Sequence, residues 1–230
     1  SVPRDTMTDV ALYSAGGTCT GTQEMQICLS YAYGDGKETS CENTVASVKR
    51  LFYNIPINTY YALDIDGLIY LNDAIGGVDV VSPNTLTTEG SGGDVTFFEE
   101  GQSYHLEGQQ AERFVRARGH RAADESMKRL ERQKAYVTSF LKQGIEQTKR
   151  DLSVPVNLFN ASAPYSCTNL NPAKVSYLAK EVVTGSGMTF EFVSVPGTVS
   201  LNEEEYAEFR IDEKAFFEMF LSVYYEKIER

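Results

Sequence analysis

The sequence has no tryptophan, only two histidines and four cysteines among its 230 residues, and fewer basic than acidic side chains. With 21 basic and 32 acidic residues its formal net charge is −11, which disfavours nucleic acid as a partner because nucleic-acid-binding surfaces are basic. No apolar run approaches the roughly 18 residues of a membrane-spanning helix, and the first residues lack the pattern of a signal peptide. The 42% of hydrophobic residues is typical of a globular protein with a sizeable core.

The four cysteines are not spaced like metal ligands. Cys19, Cys28 and Cys41 lie close together in the chain and Cys167 lies far from them, and no two are separated by the short interval of a zinc site. We therefore expect one or two disulfides formed in an oxidising compartment, with buried free thiols as the alternative. The sequence does not choose among the possible pairings.

Hydrophobic periodicity predicts an α/β chain forming a single domain over residues 1–230. Strands are predicted at 9–13, 60–66, 78–82 and 189–197, and helices at 37–54, 67–75, 107–114, 126–149 and 213–227. Residues 60–82 read as strand, helix, glycine stop and strand, which favours a parallel or mixed sheet. Residues 84–98 are predicted to contain a Gly/Ser/Thr loop.

The basic side chains are concentrated in one stretch. Residues 113–150 hold 11 of the 21 Lys and Arg residues but only 4 of the 32 Asp and Glu residues. A solvated basic helix would explain such a cluster, but the pattern of the arginines within it favours an anion site.

Arg4 and Asp5 stand side by side in a Pro-Arg-Asp-Thr run, which suggests a turn. An arginine offers a planar fork of donors to a phosphate, and an aspartate can hold a hard cation such as Mg²⁺. The alternative is an ordinary surface ion pair.

Arg116 and Arg118 belong to the run FVRARG. If this run is extended, both side chains point to one side, because side chains alternate along a strand, and a diphosphate would suit the space between them. The alternative is an exposed basic edge strand.

Arg129, Arg132 and Gln133 are three or four residues apart in the predicted helix 126–149, so they share one side of it. With Arg129 at 0°, the apolar residues span an arc from about 20° to 160°. Gln133 falls inside that arc, Arg129 at its border and Arg132 further out. This pattern predicts a wet, charged pocket at a helix N-terminus that attracts anions, unless neighbouring glutamates simply neutralise the arginines.

Several motifs together resemble one known family. SVPRDT, SYAYGDG, DAIGGVDV, FVRARG and RLERQ occur in the order and approximate spacing of LytR-CpsA-Psr proteins, and VSVPG followed by DEKAFF is similar to the end of that family's domain. On these motifs the chain is identified as a member of the family.

The resemblance implies a three-layer α/β/α sandwich with a central mixed β-sheet. It also implies an enzyme that transfers an anionic glycopolymer from an undecaprenyl-diphosphate carrier to peptidoglycan, with Mg²⁺ as cofactor. The residues carried over to the diphosphate are Arg4, Arg116, Arg118, Arg129 and Gln133; Asp5 would hold Mg²⁺, and Arg4, Asp5, Arg118 and Arg129 form the expected catalytic set. An apolar groove would take the polyprenyl tail.

The resemblance further implies a domain at the extracytoplasmic face of the cell membrane, held there by an N-terminal helix. That anchor, one strand and an Arg-Ser-Asp-Thr-like motif with a second Mg²⁺ ligand would precede Ser1. Gln26 and Cys28 stand where the family tends to have a basic residue and an asparagine, and the loss of that cation is expected to weaken transfer. Two alternatives remain: a polyprenyl-diphosphate diphosphatase, and a non-catalytic envelope or regulatory protein that binds polyprenyl diphosphates.

Overall fold

The computed structural model describes residues 1–14, 16–89, 95–117, 125–185 and 192–226. Its strands are β1 Met7–Tyr13, β2 Cys19–Gln26, β3 Tyr61–Leu63, β4 Val78–Val81, β5 Leu86–Glu89, β6 Val95–Phe98, β7 Ser103–Leu106, β8 Ser166–Thr168, β9 Gly197–Leu201 and β10 Ala207–Ile211. Its helices are α1 Cys28–Ala32, α2 Glu38–Leu51, α3 Gly67–Ala74, α4 Gln109–Arg116, α5 Glu125–Arg150, α6 Val154–Ser162, α7 Pro172–Thr184 and α8 Glu213–Tyr224. The α/β class is therefore confirmed. The chain divides into two compact units, unit 1 with residues 1–60 and 193–230 and unit 2 with residues 61–192.

Unit 1 contains strands paired in both directions. β1 and β2 form an antiparallel hairpin, as do β9 and β10. A parallel bridge joins Thr6 to Phe209, and the Phe209 N–H donates to the Asp5 carbonyl at 2.8 Å. The parallel or mixed sheet was predicted from residues 60–82, however, and the strands of that segment, β3 and β4, each pair antiparallel.

Aromatic side chains join the end of α2 to α8 in unit 1. The Phe52 ring meets the Phe216 ring edge-on at 5.1 Å, and the Tyr53 ring lies 4.9 Å from that of Phe220. The predicted cap of the last helix is confirmed, because the Asp212 side chain accepts a hydrogen bond from the Ala215 N–H at 3.0 Å. Phe216 and Phe220 are buried in these contacts, and Tyr53 stays 43% exposed.

The strand predicted at 189–197 is wrong in its bounds. Residues 186–191 lie outside the described part of the chain, and β9 begins at Gly197 instead of ending there. A side chain at Gly197 would place its Cβ 2.4 Å from the Arg210 carbonyl oxygen. Glycine is therefore needed where β9 comes close to β10.

Unit 2 is built from antiparallel pairs and helices. The helix predicted at 67–75 is confirmed as α3, and it stops at Gly76 and Gly77, whose φ values are 79° and 85°. The flanking strands β3 and β4 pair with β8 and β7, not with each other. Residues 84–98 were predicted to contain a Gly/Ser/Thr loop, and β5 and β6, which the prediction did not include, pair at the two ends of this segment. The threonines of β5 and the phenylalanines of β6 favour strands. The Gly and Ser residues between them dominated the prediction and hid this preference.

Helix α5 extends over the predicted residues, but its buried side differs from the prediction. Arg132, Tyr136 and Thr148 are its buried residues, whereas Val137 of the predicted apolar arc is exposed. Polar side chains also face inward: Gln143 Nε2 donates to the Gly77 carbonyl at 3.1 Å. Phe140 of the predicted arc does pack against the core, so counting apolar residues alone located part of the buried side and missed Arg132 and Tyr136.

The disulfide prediction is wrong, because all four cysteines are free thiols. They lie in four different elements, β2, α1, α2 and β8, and Cys41 is buried on α2 while Cys19 is exposed. Among the described residues, no helix is both long and apolar enough to cross a membrane.

Candidate anion-binding site

In unit 1 the backbone of Arg4 and Asp5 is held from several sides. The Thr6 hydroxyl and N–H both donate to the Pro3 carbonyl, at 2.7 and 3.1 Å, which closes a tight turn. The Arg4 carbonyl accepts from the Cys28 N–H at 3.2 Å, and the Asp5 carbonyl accepts from Phe209. The turn predicted for the Pro-Arg-Asp-Thr run is therefore present, and it fixes the two charged residues beside each other.

The two side chains form the ion pair that was the alternative interpretation of this run. Arg4 Nε lies 3.2 Å from Asp5 Oδ1, with 54% of the arginine side chain and 11% of the aspartate side chain exposed. Such an exposed pair contributes about 0–1 kcal/mol to stability. The guanidinium is thus oriented by a carboxylate while much of it faces solvent.

Gln26 and Cys28, the two departures from the family pattern, both have contacts in unit 1. Gln26 Nε2 donates to the Ala207 carbonyl at 2.6 Å, which ties β2 to β10. The Cys28 Sγ lies 3.6 Å from Arg4 Nη2 and 3.9 Å from Gln26 Oε1. The Gln26 side chain therefore links two strands. The Cys28 thiol, a weak acceptor, lies against the Arg4 guanidinium.

In unit 2 the helix predicted at 107–114 is confirmed as α4, and it continues through Val115 to Arg116, so the condition that FVRARG is extended does not hold for these residues. Phe114 and Val115 are buried on this helix, and their burial favours a helix over a strand here. Arg116 has 63% of its side chain exposed and donates to Glu112 Oε1 at 2.7 Å. That carboxylate raises the pKa of Arg116 above its ordinary value. Arg118 lies outside the described residues, so its pairing with Arg116 stays a prediction.

Arg132 fastens the end of α4 to α5. It is 1% exposed, and its Nε donates to the Phe114 carbonyl at 3.0 Å while Nη2 donates to the Ala117 carbonyl. Its Nη1 donates to Asn84 Oδ1 at 2.6 Å. Burial lowers the pKa of Arg132, with Glu125 and Glu131 acting in the opposite direction. A guanidinium stays charged in proteins, so its cation stabilises the negative C-terminal end of α4.

Gln133 also holds the end of α4 against α5. Its Nε2 donates to the Val115 carbonyl at 3.1 Å. An amide nitrogen carries two hydrogens, so the predicted contact with a phosphate oxygen needs only the second. Asn84 completes the arrangement by donating to the Lys128 carbonyl at 3.1 Å and to Glu131 Oε2 at 3.2 Å.

The predicted site residues therefore fall into two groups. Arg116, Arg129 and Gln133 lie on α4 and the first turns of α5 in unit 2, and Arg4 and Asp5 lie in unit 1. Convergence of the two groups on one diphosphate stays a prediction. Arg132 and Asn84 were missed as parts of the site: the spacing of RLERQ already placed Arg132 beside Arg129, whereas nothing in the sequence singled out Asn84.

Two further predicted features concern Mg²⁺ and the polyprenyl tail. Within the described ranges, no group of three or more His, Cys, Asp or Glu residues could hold a metal ion, so Asp5 belongs to no such group. Unit 1 has a pocket of about 480 Å³ whose lining includes charges of both signs, among them Asp9, Arg50, Arg210 and Glu213. This pocket is too polar for a polyprenyl chain, and the apolar groove stays a prediction.

The structure thus describes an α/β protein with arginine-bearing surfaces in both of its units. The LytR_cpsA_psr family model matches residues 1–222, and the chain belongs to this family. The chain is 34% identical over 118 residues to the polyisoprenyl-teichoic acid–peptidoglycan teichoic acid transferase TagU of Bacillus anthracis, a match that covers 51% of this chain and 32% of that protein. The aligned part of the chain thus spans about a third of this relative's length.

Solved structures share the fold. TagV of B. subtilis superposes with a TM-score of 0.69 at 22% identity, covering 98% of this chain and 82% of that one. TagT bound to LI-WTA gives a TM-score of 0.66 at 17% identity, covering 96% of this chain and 75% of that one.

Proposed function

We propose that this chain is the catalytic domain of a phosphotransferase that moves an anionic glycopolymer from a polyprenyl-diphosphate carrier to peptidoglycan, at the outer face of the cell membrane. One observation carries the proposal: Arg132 and Gln133 fasten the end of α4, which bears Arg116, to the first turns of α5, which bear Arg129. The transferase name of TagU and the LI-WTA ligand of TagT support this choice of substrates.

In unit 2 the diphosphate would be bound by Arg116, Arg118, Arg129 and Gln133. The Glu112 carboxylate that pairs with Arg116 is exchangeable, because more than half of the arginine side chain faces water. A diphosphate carries more negative charge than one carboxylate and accepts the same forked pair of hydrogen bonds. Substrate would therefore displace Glu112 from the guanidinium.

In unit 1 Arg4 would bind the same diphosphate and Asp5 would hold Mg²⁺. Magnesium in proteins is bound by one or two carboxylates together with substrate phosphates and water, so a single aspartate fits that role. Its side chain is 11% exposed and already lies against the Arg4 guanidinium, which keeps its oxygens beside the phosphate ligand. Bound Mg²⁺ would supply further neutralisation of phosphate charge.

The chemistry requires little covalent help from the protein. The acceptor hydroxyl would attack the glycopolymer-side phosphorus in line with the bridging oxygen, and a new P–O bond would form as the bond to the bridging oxygen breaks. Polyprenyl phosphate would leave with the bonding electrons, and the hydroxyl proton would pass to a base. The arginines would act by orienting the diphosphate and balancing its charge, which are the dominant factors in phosphoryl transfer.

Replacing Arg129 by Ala tests the site, and Arg150→Ala, at the exposed far end of the same helix, is the matched control. We expect Arg129→Ala to lower glycopolymer transfer by about 100-fold or more, the usual cost of removing one charge-stabilising donor, while its unfolding midpoint stays near that of the control. Transfer at the control's rate would remove Arg129 from the site.

Dependence on acceptor separates transfer from hydrolysis. We expect polyprenyl phosphate to be released faster when peptidoglycan is added, and the glycopolymer to become attached to it. Release at the same rate with water alone would instead establish a diphosphatase. Binding of polyprenyl diphosphate with no turnover in Mg²⁺ would establish the non-catalytic alternative.

A further inference from the structure

Two tyrosines stack on the surface of unit 2. Tyr70 on α3 and Tyr165, just after α6, have ring centroids 4.6 Å apart and planes inclined by 14°. Tyr70 is 49% exposed, so the stack does not belong to the core. We call these two rings the tyrosine platform.

The backbone beneath the platform is shaped for it. A Cβ on Gly67 would lie 2.5 Å from Tyr165 Cβ and 2.9 Å from Leu63 Cδ1, so only glycine at this position lets Tyr165 approach. The Asp64 N–H also donates to the Tyr165 carbonyl at 2.7 Å. Tyr165 is therefore fixed on the turn between β3 and α3, and it supports the Tyr70 ring from one side.

Charged groups of unit 2 surround the platform. Asp64 and Asp66 lie in the same turn, both are exposed, and the Asp66 N–H donates to Asp64 Oδ1 at 3.2 Å. A hydrogen bond with Tyr70 raises the pKa of Tyr165, and Asp66 adds to that effect. Glu112 raises the pKa of Arg116, with smaller contributions from Asp66 and Asp64. Two exposed carboxylates thus lie in the turn that holds the platform, within electrostatic reach of Arg116.

We infer that the tyrosine platform is a saccharide subsite, in which the flat C–H face of a pyranose ring packs on Tyr70 and sugar hydroxyls donate to Asp64 and Asp66. Carboxylates accept hydrogen bonds from hydroxyls, and a held aromatic ring offers apolar area with little loss of conformational entropy. The inference rests on the proposed function, because Arg116 then places the diphosphate beside this sugar. The ring could come from the donor glycopolymer or from the acceptor glycan, which present the same chemistry.

The variants Tyr70→Ala and Tyr70→Phe test the subsite, with Tyr177→Ala as the matched control, since Tyr177 is an exposed tyrosine of α7 in the same unit. The KM of each variant is measured separately for the lipid-linked donor and for the peptidoglycan acceptor. Binding of an N-acetylglucosamine tetramer is measured in parallel by saturation-transfer NMR, which needs no turnover. A saccharide-free polyprenyl diphosphate serves as the reference ligand.

We expect Tyr70→Ala to raise the KM of one saccharide-bearing substrate about tenfold, the range of a lost aromatic contact, with binding of the saccharide-free lipid unchanged. Tyr70→Phe keeps the ring and should behave like the control. An effect on the donor KM assigns the subsite to the glycopolymer, and an effect on the acceptor KM assigns it to peptidoglycan.

The subsite and the proposed function can fail separately. Normal transfer with equal KM values in Tyr70→Ala and wild type would overturn the subsite and leave the transferase intact. Tetramer binding that is lost in Tyr70→Ala, in a wild type without transfer activity, would support the subsite and refute the transferase. Neither transfer nor Tyr70-dependent binding would count against both.

Discussion

Arg132 and Arg116 lie near each other in the chain of unit 2 but in opposite environments. Arg132 is 1% exposed and directs its guanidinium to backbone carbonyls and an asparagine, whereas Arg116 is mostly exposed and pairs with a carboxylate. A cation surrounded by carbonyls in the interior cannot leave without exposing buried acceptors, so it belongs to the scaffold. A cation paired with a carboxylate in water can change partners at small cost, which is what binding a phosphate requires.

The largest effect on transfer should come from replacing an exposed arginine that pairs with a carboxylate. Arg4→Ala in unit 1 tests this expectation. Arg210→Ala is a close control, because Arg210 has the same 54% side-chain exposure and also pairs with carboxylates, at 2.9 Å to Glu24 and 2.8 Å to Glu208. We expect Arg4→Ala to reduce transfer by about 100-fold or more and to change the free energy of unfolding by less than about 1 kcal/mol.

Transfer assays and urea unfolding of both variants check this expectation. Arg210→Ala should retain transfer and show the same small change in stability. If the two variants lost activity equally, an exposed arginine paired with a carboxylate would not be specific to the substrate site. The difference in burial between such arginines and Arg132 would then not predict which of them bind substrate.

The next largest effect should be a loss of stability when the buried Arg132 is replaced. Arg132→Met keeps much of the side-chain volume but leaves the Phe114 and Ala117 carbonyls and the Asn84 amide oxygen without this donor. We expect the free energy of unfolding to fall by about 3 kcal/mol, since each buried acceptor left unsatisfied costs about 1–3 kcal/mol and relaxation recovers part of that.

Arg116→Met carries the same substitution on the exposed side and should change stability by less than about 1 kcal/mol. Chemical denaturation of the two variants gives the comparison directly. Equal losses would show that burial does not distinguish these arginines.

The smallest effect should come from an exposed pair on the edge of β4 and β7. His105 Nδ1 lies 2.8 Å from Asp79 Oδ1, and this hydrogen bond raises the pKa of His105 above 6.5. Because the folded pKa is the higher one, the contribution of the pair is complete below the unfolded value and is lost as the pH rises through the folded value. We expect a slight fall in Tm as the pH rises above 6.5, reduced in Asp79→Asn. An identical fall in that variant would assign the pH dependence to other groups.

The fold was largely readable from the sequence where periodicity was strong. Helix α3 with its Gly76 stop, helix α5 and the Asp212 cap of α8 were all predicted, because each has a local signal in apolar spacing, glycine or a capping side chain. The hairpin of β5 and β6 was not, because turn residues dominate its middle and pairing partners are set by tertiary contacts.

The residue types of the candidate site could be predicted from the sequence, but the directions of their side chains could not. The clustering of arginines and the turn at Arg4 and Asp5 were found from the sequence alone. The inward direction of Arg132 was missed because a buried arginine follows no hydrophobic period, and its partner carbonyls belong to a different helix. Every residue has a backbone carbonyl, so the residue types do not indicate which carbonyl an arginine will contact.

The inward face of α5 has one more consequence. A helix held only by apolar side chains can slide or rotate by a fraction of a turn with little loss, since one hydrocarbon contact replaces another. Here Gln133, Gln143 and Gln147 each donate to a particular carbonyl, those of Val115, Gly77 and Ile75. A displacement by a single residue would break all three at once, so α5 has one docking register, and that register sets where its first turn presents Arg129.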